Sequence, residues 1–300
     1  MSLHILQFGA TGQLAREMIA RAERFGRELT VLSRGQVDLR DLTAVRAAIE
    51  NAGRVDLVVN AAAFTAVDAA EADRDLAFAV NATAPEVMAK ACAARGLPLV
   101  HLSTDYVFSG EGKKPWREDD ATLPINVYGA SKLAGEAAVL AAWRRSAVLR
   151  TSWVFSAHGS NFVRTMLRLG QAQSHVRVVD DQRGRPTFAG DLADFILGAA
   201  ERWAGPGDEA FGVFHFAGAG AVSWRRFAEA IFTAARMPAT VTPITTADYP
   251  TPARRPAYSV LATGKLETVF GVKPPPWGEG LIASVGPILN ELAYRPATRP

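Results

Sequence analysis

The chain opens on a nearly unbroken apolar run from His4 to Gly9, the pattern of a strand buried on both faces of a parallel sheet. Apolar residues then recur at helical spacing from Gln13 to Phe25, and Gly26 supplies a stop. Leu29 to Ser33 reads as a second strand. Asp41 reads as an N-cap ahead of Leu42, Val45 and Ile49, which fall on one helical face. Asp56 to Asn60 predicts a third strand, and Asp75 to Arg95 a helix ended by Gly96. Leu99 to Ser103 predicts a fourth strand, Tyr128 to Trp143 a long helix, and Ala147 to Arg150 a fifth strand.

Strand and helix alternate too regularly for any class but α/β. The expected fold is a Rossmann-type doubly wound parallel sheet over residues 1–150. Beyond about Trp153 the rhythm becomes irregular, and proline gathers in Pro238 to Pro256 and Pro274 to Pro276. Residues 151–300 are therefore expected to form mainly a smaller, loop-rich α/β lobe over the strand ends. Val176 to Val179 and Val213 to Phe216 look like further sheet strands, so segments near 174–219 are expected to return to the first lobe.

Composition narrows the function classes. Apolar residues make up 49% of the 300 and charged residues 21%, ordinary for a globular protein. The net charge of +3 comes from scattered arginines rather than a basic stripe, which argues against nucleic-acid binding and suits an anionic small substrate. The single cysteine, Cys92, excludes an internal disulfide and lies in an alanine-rich stretch, as a buried structural thiol would. With no signal-like segment and no run that could span a bilayer, a cytoplasmic enzyme is the expectation.

Between the first strand and first helix lies Gly9-Ala10-Thr11-Gly12-Gln13-Leu14-Ala15. Gly9 permits a tight turn, Gly12 lets the backbone approach a pyrophosphate, and the helix N-terminus offers free N–H groups and partial positive charge. Gly9, Thr11, Gly12, Gln13 and Leu14 are thus candidate dinucleotide contacts. Ala15 stands where a third glycine often allows close helix packing. At the end of the second strand an acid would favour NAD; Ser33-Arg34 instead suits a 2′-phosphate and favours NADPH, with NADH still possible. The alternative for Arg34 is a plain loop arginine. Asp38, followed by Leu39, can accept from an adenine amino group or cap the next turn. Ala61, Ala62 and Ala63 let a cofactor lie against the backbone, or simply pack tightly.

Tyr128 and Lys132 stand four residues apart and share a helical face. A neighbouring ammonium is expected to lower the phenol's pKa and ready it for proton exchange. Ser103 and Thr104, at the end of the fourth strand, offer hydroxyls to the cofactor and to a substrate carbonyl. Tyr-x-x-x-Lys alone is common by chance; the glycine turn and strand-end hydroxyls in the right order give it meaning.

This ordered set resembles the extended branch of the short-chain dehydrogenase/reductase superfamily. Further segments narrow the likeness: Val59-Asn60-Ala61-Ala62-Ala63-Phe64-Thr65-Ala66-Val67-Asp68, Ser103-Thr104-Asp105-Tyr106-Val107-Phe108, Arg150-Thr151-Ser152-Trp153-Val154-Phe155, Asp181-Gln182-Arg183-Gly184-Arg185-Pro186-Thr187 and Pro252-Ala253-Arg254-Arg255-Pro256. Together they resemble the dTDP-4-dehydrorhamnose reductase family over nearly the whole chain. The resemblance implies reduction of a dTDP-4-keto-deoxysugar by NAD(P)H. It implies that Tyr128 donates the proton, Lys132 is its electrostatic partner, and Thr104 and Asp105 orient the carbonyl. It further implies that Thr65, Val67, Tyr106 and Trp153 line the sugar-nucleotide pocket and that Arg255 reaches the diphosphate.

Some members of that family resemble dimers bridged by glutamates and Mg²⁺. Glu17 and Glu291 match two such positions, but Gly190 stands where a third carboxylate is expected, so no metal is predicted and a monomer or weak homodimer is expected. A regulatory subunit of methionine adenosyltransferase resembles the same family and binds NADP without catalysing the reaction; the intact Thr104, Tyr128 and Lys132 argue against that alternative. A reductase or epimerase of another nucleotide-sugar is the third reading.

Overall fold

In the computed structural model, which describes residues 2–294, six parallel strands form the central sheet. Strands β1 (Leu3–Phe8), β2 (Arg27–Leu32), β3 (Leu57–Asn60), β4 (Leu99–Thr104) and β5 (Ser146–Thr151) are joined by Gly212–His215. Their spatial order runs from Gly212–His215 through β5, β4, β3 and β1 to β2. The chain moves outward from β1 to β2 and then crosses to β3 on the other side. The crevice at the carboxyl ends of β1 and β3 is therefore the topological switch point, where such sheets take ligands.

Strand alternation sends successive side chains to opposite faces. Ile5 packs with Met18, Leu57, Ile196 and Trp203 beneath the helices Gln13–Arg21 and Ala189–Ala204. Leu6 and Phe8 pack with Val45, Met88, Val139 and Val148 beneath Leu42–Glu50, Ala84–Arg95 and Val127–Ala142. A third core is built on Phe155, Leu167, Phe227, Ile231 and Ile288. Truncating a fully buried member such as Met18 to Ala would cost about 2–5 kcal/mol.

Three sequence expectations change. Val176–Val179 does not join the central sheet; His175–Val179 pairs in parallel with Thr240–Ile244 in a separate ribbon, leaving Gly212–His215 as the returning strand. The expected helix from Asp75 to Arg95 is Arg74–Phe78, a π-turn at Ala79–Thr83, and Ala84–Arg95. The bulge lets Asn81 turn inward, where its amide holds Phe64 through both backbone groups at 2.9 and 3.0 Å and reaches Ser131 at 3.0 Å. Beyond Trp153 there is more helix than the rhythm suggested. Phe162–Ala172 buries Val163, Met166 and Leu167, and Trp224–Ala234 buries Phe227, Ala228, Ile231 and Phe232 at helical spacing. Their caps, Asn161 and Ser223, were the overlooked start signals.

Among the described residues no helix is long and apolar enough to cross a membrane.

Candidate active site

A cleft of about 780 Å³ opens at the switch point. Its first wall is the turn after β1. Gly9 has φ 101°, a conformation open to glycine, and the turn is propped from below by Gln7, which is buried and donates to the carbonyls of Gly9 (2.8 Å) and Ala15 (3.2 Å). Ala15 is fully buried at that contact, so its methyl is accommodated. Gly12 caps the following helix, and Thr11, Gln13 and Leu14 line the cleft beside it. Gln13 also ties this turn to the segment after β5: it donates to the Val154 carbonyl and accepts from the Asn161 amide at 2.9 Å.

Arg34, Asp38, Leu39 and Ala61 to Ala63 line the cleft as well. The Arg34 guanidinium is well exposed and lies 3.6 Å from Asp38, whose carboxylate is held far below its usual range by Arg40. Arg40 makes that pair at 2.6 Å and places a second cation near the first. Ser33 is not on the wall; its hydroxyl donates to Gln36 instead. Asn60, which the sequence marked only as the start of the alanine run, fixes that run by accepting from the Ala62 N–H at 3.1 Å.

The opposite wall carries the chemistry. Ser103, Thr104, Asp105, Tyr106, Tyr128 and Lys132 all face one space, with Thr65 and Trp153 beside them. Asn126 caps the helix that bears Tyr128 and Lys132, accepting from Gly129 N–H at 2.7 Å and donating to the Arg254 carbonyl at 2.8 Å. Gly129 is needed there, since a Cβ would sit 2.2 Å from the Tyr106 carbonyl oxygen. That close approach sets the Tyr106 and Tyr128 rings edge to face at 5.9 Å.

The expected lowering of the Tyr128 phenol is not what the geometry gives. Burial dominates and pushes it up to about 12, with the adjacent Thr104 hydroxyl drawing it partly back. Burial also brings Lys132 down to about 8, opposed by Glu136. Asp105 is pushed up to about 7 by burial, against hydrogen bonding from Ser259 and Thr104. The Thr104 hydroxyl donates to Asp105 at 3.0 Å and accepts from the Tyr106 N–H at 3.2 Å. The array thus offers a protonated phenol beside polar groups that can hold a carbonyl oxygen.

Two expected substrate contacts stand elsewhere. Val67 opens the short helix Val67–Ala72 and is not among the lining residues. Arg255 is committed to Asp68 through two bonds of 2.6 and 2.7 Å, so its fork of donors serves a structural ion pair. Trp224 joins the wall unannounced by the sequence, stacked on Trp153.

The two carboxylates considered for a metal bridge each pair with an arginine. Glu17 accepts from Arg21, Glu291 accepts from Arg164 at 2.8 Å, and a Cβ at Gly190 would meet the Arg21 guanidinium at 2.4 Å. Among the described residues no group of three or more His, Cys, Asp or Glu side chains is arranged to hold a metal.

Residues 3–289 match the family model described as the RmlD substrate binding domain. A dTDP-4-dehydrorhamnose reductase of Sinorhizobium fredii is 42% identical over 288 residues, covering 94% of this chain and 97% of the relative. The crystal structure of a Clostridium acetobutylicum dTDP-4-dehydrorhamnose reductase superposes with a TM-score of 0.89 at 37% identity, covering 95% of this chain and 99% of that one. A Bacillus anthracis dTDP-4-dehydrorhamnose reductase solved with NADP gives 0.88 at 34% identity, covering 94% and 98%.

Proposed function

The chain belongs to the RmlD substrate binding domain family, and on that premise we propose that it is an NADPH-dependent dTDP-4-dehydrorhamnose reductase. It reduces the C4 ketone of dTDP-4-dehydro-β-L-rhamnose to give dTDP-β-L-rhamnose. The single observation that carries this reading is the convergence of Thr104, Tyr128 and Lys132 on the cleft that the Gly9–Leu14 turn also lines.

The residues present fit a dinucleotide: a glycine turn, a helix N-terminus, a flat alanine run, and Arg34 with Arg40 beyond β2. When bound there, NADPH supplies the hydride. On substrate binding the Thr104 hydroxyl turns its proton from Asp105 to the sugar carbonyl oxygen and so fixes the carbonyl in the cleft. Tyr128 delivers the proton to the oxygen as charge builds on it. A phenol near 12 suits this direction, because it stays protonated at neutral pH and a sugar alkoxide is a stronger base than phenolate. Lys132 places positive charge beside the phenolate that remains. Trp153 and Trp224 give the deoxysugar nucleotide a broad aromatic surface.

The test is direct. The 4-keto sugar nucleotide, made by the preceding dehydratase and epimerase, is offered to the purified protein with NADPH. Spectrophotometric NADPH oxidation with a stoichiometric yield of dTDP-rhamnose is expected. No oxidation, while NADPH still binds, would refute the assignment.

A further inference from the structure

One helical turn beyond Lys132 stands a carboxylate that the reaction as described does not use. Glu136 is 3% exposed, and its ion pair with Arg150 of β5 is equally buried. Arg150 donates to both Glu136 oxygens, Nε at 2.9 and 3.1 Å and Nη2 at 2.7 Å. The same Oε1 accepts the Ser103 hydroxyl proton. Ser103 lies on the cleft wall, immediately before Thr104. A pair kept only for stability would be unusual here, since two buried charges rarely improve on an apolar pair of the same volume.

We propose that Glu136 is a positioning residue for the reductase chemistry. It sets a buried negative charge one turn from Lys132 along the same helix and turns the Ser103 hydroxyl so that only its lone pairs face the cleft. The inference rests on the reading of Lys132 as the partner of Tyr128.

The charges around Lys132 make Glu136 the deciding one. On the helix itself, Tyr128 is neutral and Glu136 is the favourable charge. On β4, His101 faces Lys132 and is held neutral by burial and by that ammonium; Asn60 binds its Nδ1 at 3.1 Å. Arg150 is turned toward Glu136 and His215 and lies over the Phe108 ring. His215 is pushed down to about 3 by burial and is neutral, so the carboxylates set against Arg150 are Glu136, which it binds directly, and Glu118, which feels its charge and accepts from the His215 N–H at 3.0 Å. Asp105 shares the cleft wall but is engaged with Thr104. Burial works against the Lys132 charge, and Glu136 opposes it. The Ser103 proton is already given to Glu136, so toward the cleft this hydroxyl acts as an acceptor for cofactor hydroxyl or amide donors.

The experiment compares wild type, Glu136→Gln, and the double variant Glu136→Gln/Arg150→Met, which removes both buried charges together. Two quantities are followed with pH: kcat/KM for NADPH oxidation, and the Lys132 Nζ resonance in protein labelled with ¹⁵N-lysine, assigned by Lys132→Arg. In the folded variants both the alkaline limb and the Nζ titration should move to lower pH by about one pH unit. An unmoved Nζ titration in the folded double variant overturns the proposal, and so does a wild-type Lys132 already uncharged at pH 7. The resonance needs no substrate. A moved titration without turnover of the keto sugar supports the role of Glu136 and sinks only the substrate assignment.

Discussion

Trp153 and Trp224 lie face to face, with ring centroids 3.5 Å apart and planes 7° from parallel. The stack is built from three sides. Trp153 has φ 48°, an uncommon backbone for a bulky residue, which brings its ring to the cleft. Gly184 leaves room behind it, where a Cβ would lie 2.3 Å from the indole. Trp224 is fixed by a bond from its Nε1 to Gln182 at 3.1 Å, and Gln182 in turn donates to Thr246 at 3.0 Å. Gly184→Ala should therefore push Trp153 out of place. Steady-state kinetics are expected to show KM for the sugar nucleotide rising roughly tenfold, with NADPH affinity unchanged. An equal loss of NADPH affinity would mean that the stack serves the fold rather than the substrate.

Tyr128→Phe removes one oxygen from a buried site and leaves the ring contact with Tyr106. NADPH binding, followed by fluorescence titration, should be retained. Turnover is expected to fall by about 10²–10⁴. Near-normal kcat in the variant would exclude Tyr128 as the proton donor.

Arg34 lines the cleft beyond β2, with Arg40 close by on Asp38, and is proposed to meet a 2′-phosphate. Arg34→Ala should raise KM for NADPH several-fold and leave KM for NADH nearly unchanged. Equal changes with both cofactors would assign Arg34 to the loop alone.

Asp105 links the site to stability. Its carboxyl titrates at about 7 in the folded protein against 3.8 in the free side chain. Between those values the native state binds more protons than the unfolded chain, so this residue makes stability fall as pH rises. The loss is complete above about 7 and absent below about 4. Asp105→Asn removes the charge while keeping an acceptor for Thr104. Thermal melts should show the variant gaining Tm over wild type by a few degrees at pH 8 and by little at pH 4. A gain independent of pH would mean that the Asp105 carboxyl titrates alike in the folded and unfolded chain, which would overturn its raised pKa.

Much of this was legible from local pattern. The strand order of the central sheet needs tertiary pairing, but the first five strands themselves, the Gly9 turn and the Tyr128–Lys132 helix do not. Buried strands must be apolar, tight turns need glycine, and a four-residue spacing places two side chains on one helical face. Asn81 and Trp224 were beyond that reach. Asn81 matters because a π-turn rotates it inward, and Trp224 because the helix it opens meets the Trp153 loop. No spacing within either segment encodes those contacts.

The same limit applies to charge. By itself the sequence determined the strands up to β5, the glycine turn after β1 and the shared helical face of Tyr128 and Lys132, because each follows from neighbours within a few residues. Only the tertiary structure decided what the charges do. Arg255 had the right chemistry for a diphosphate, yet folding sets Asp68 against it, 187 positions away in the chain. Lys132 was expected to lower the Tyr128 phenol, yet both groups are buried, and desolvation moves the phenol up and the ammonium down. Burial and long-range pairing are properties of the packed chain, and they set the electrostatics on which the chemistry depends.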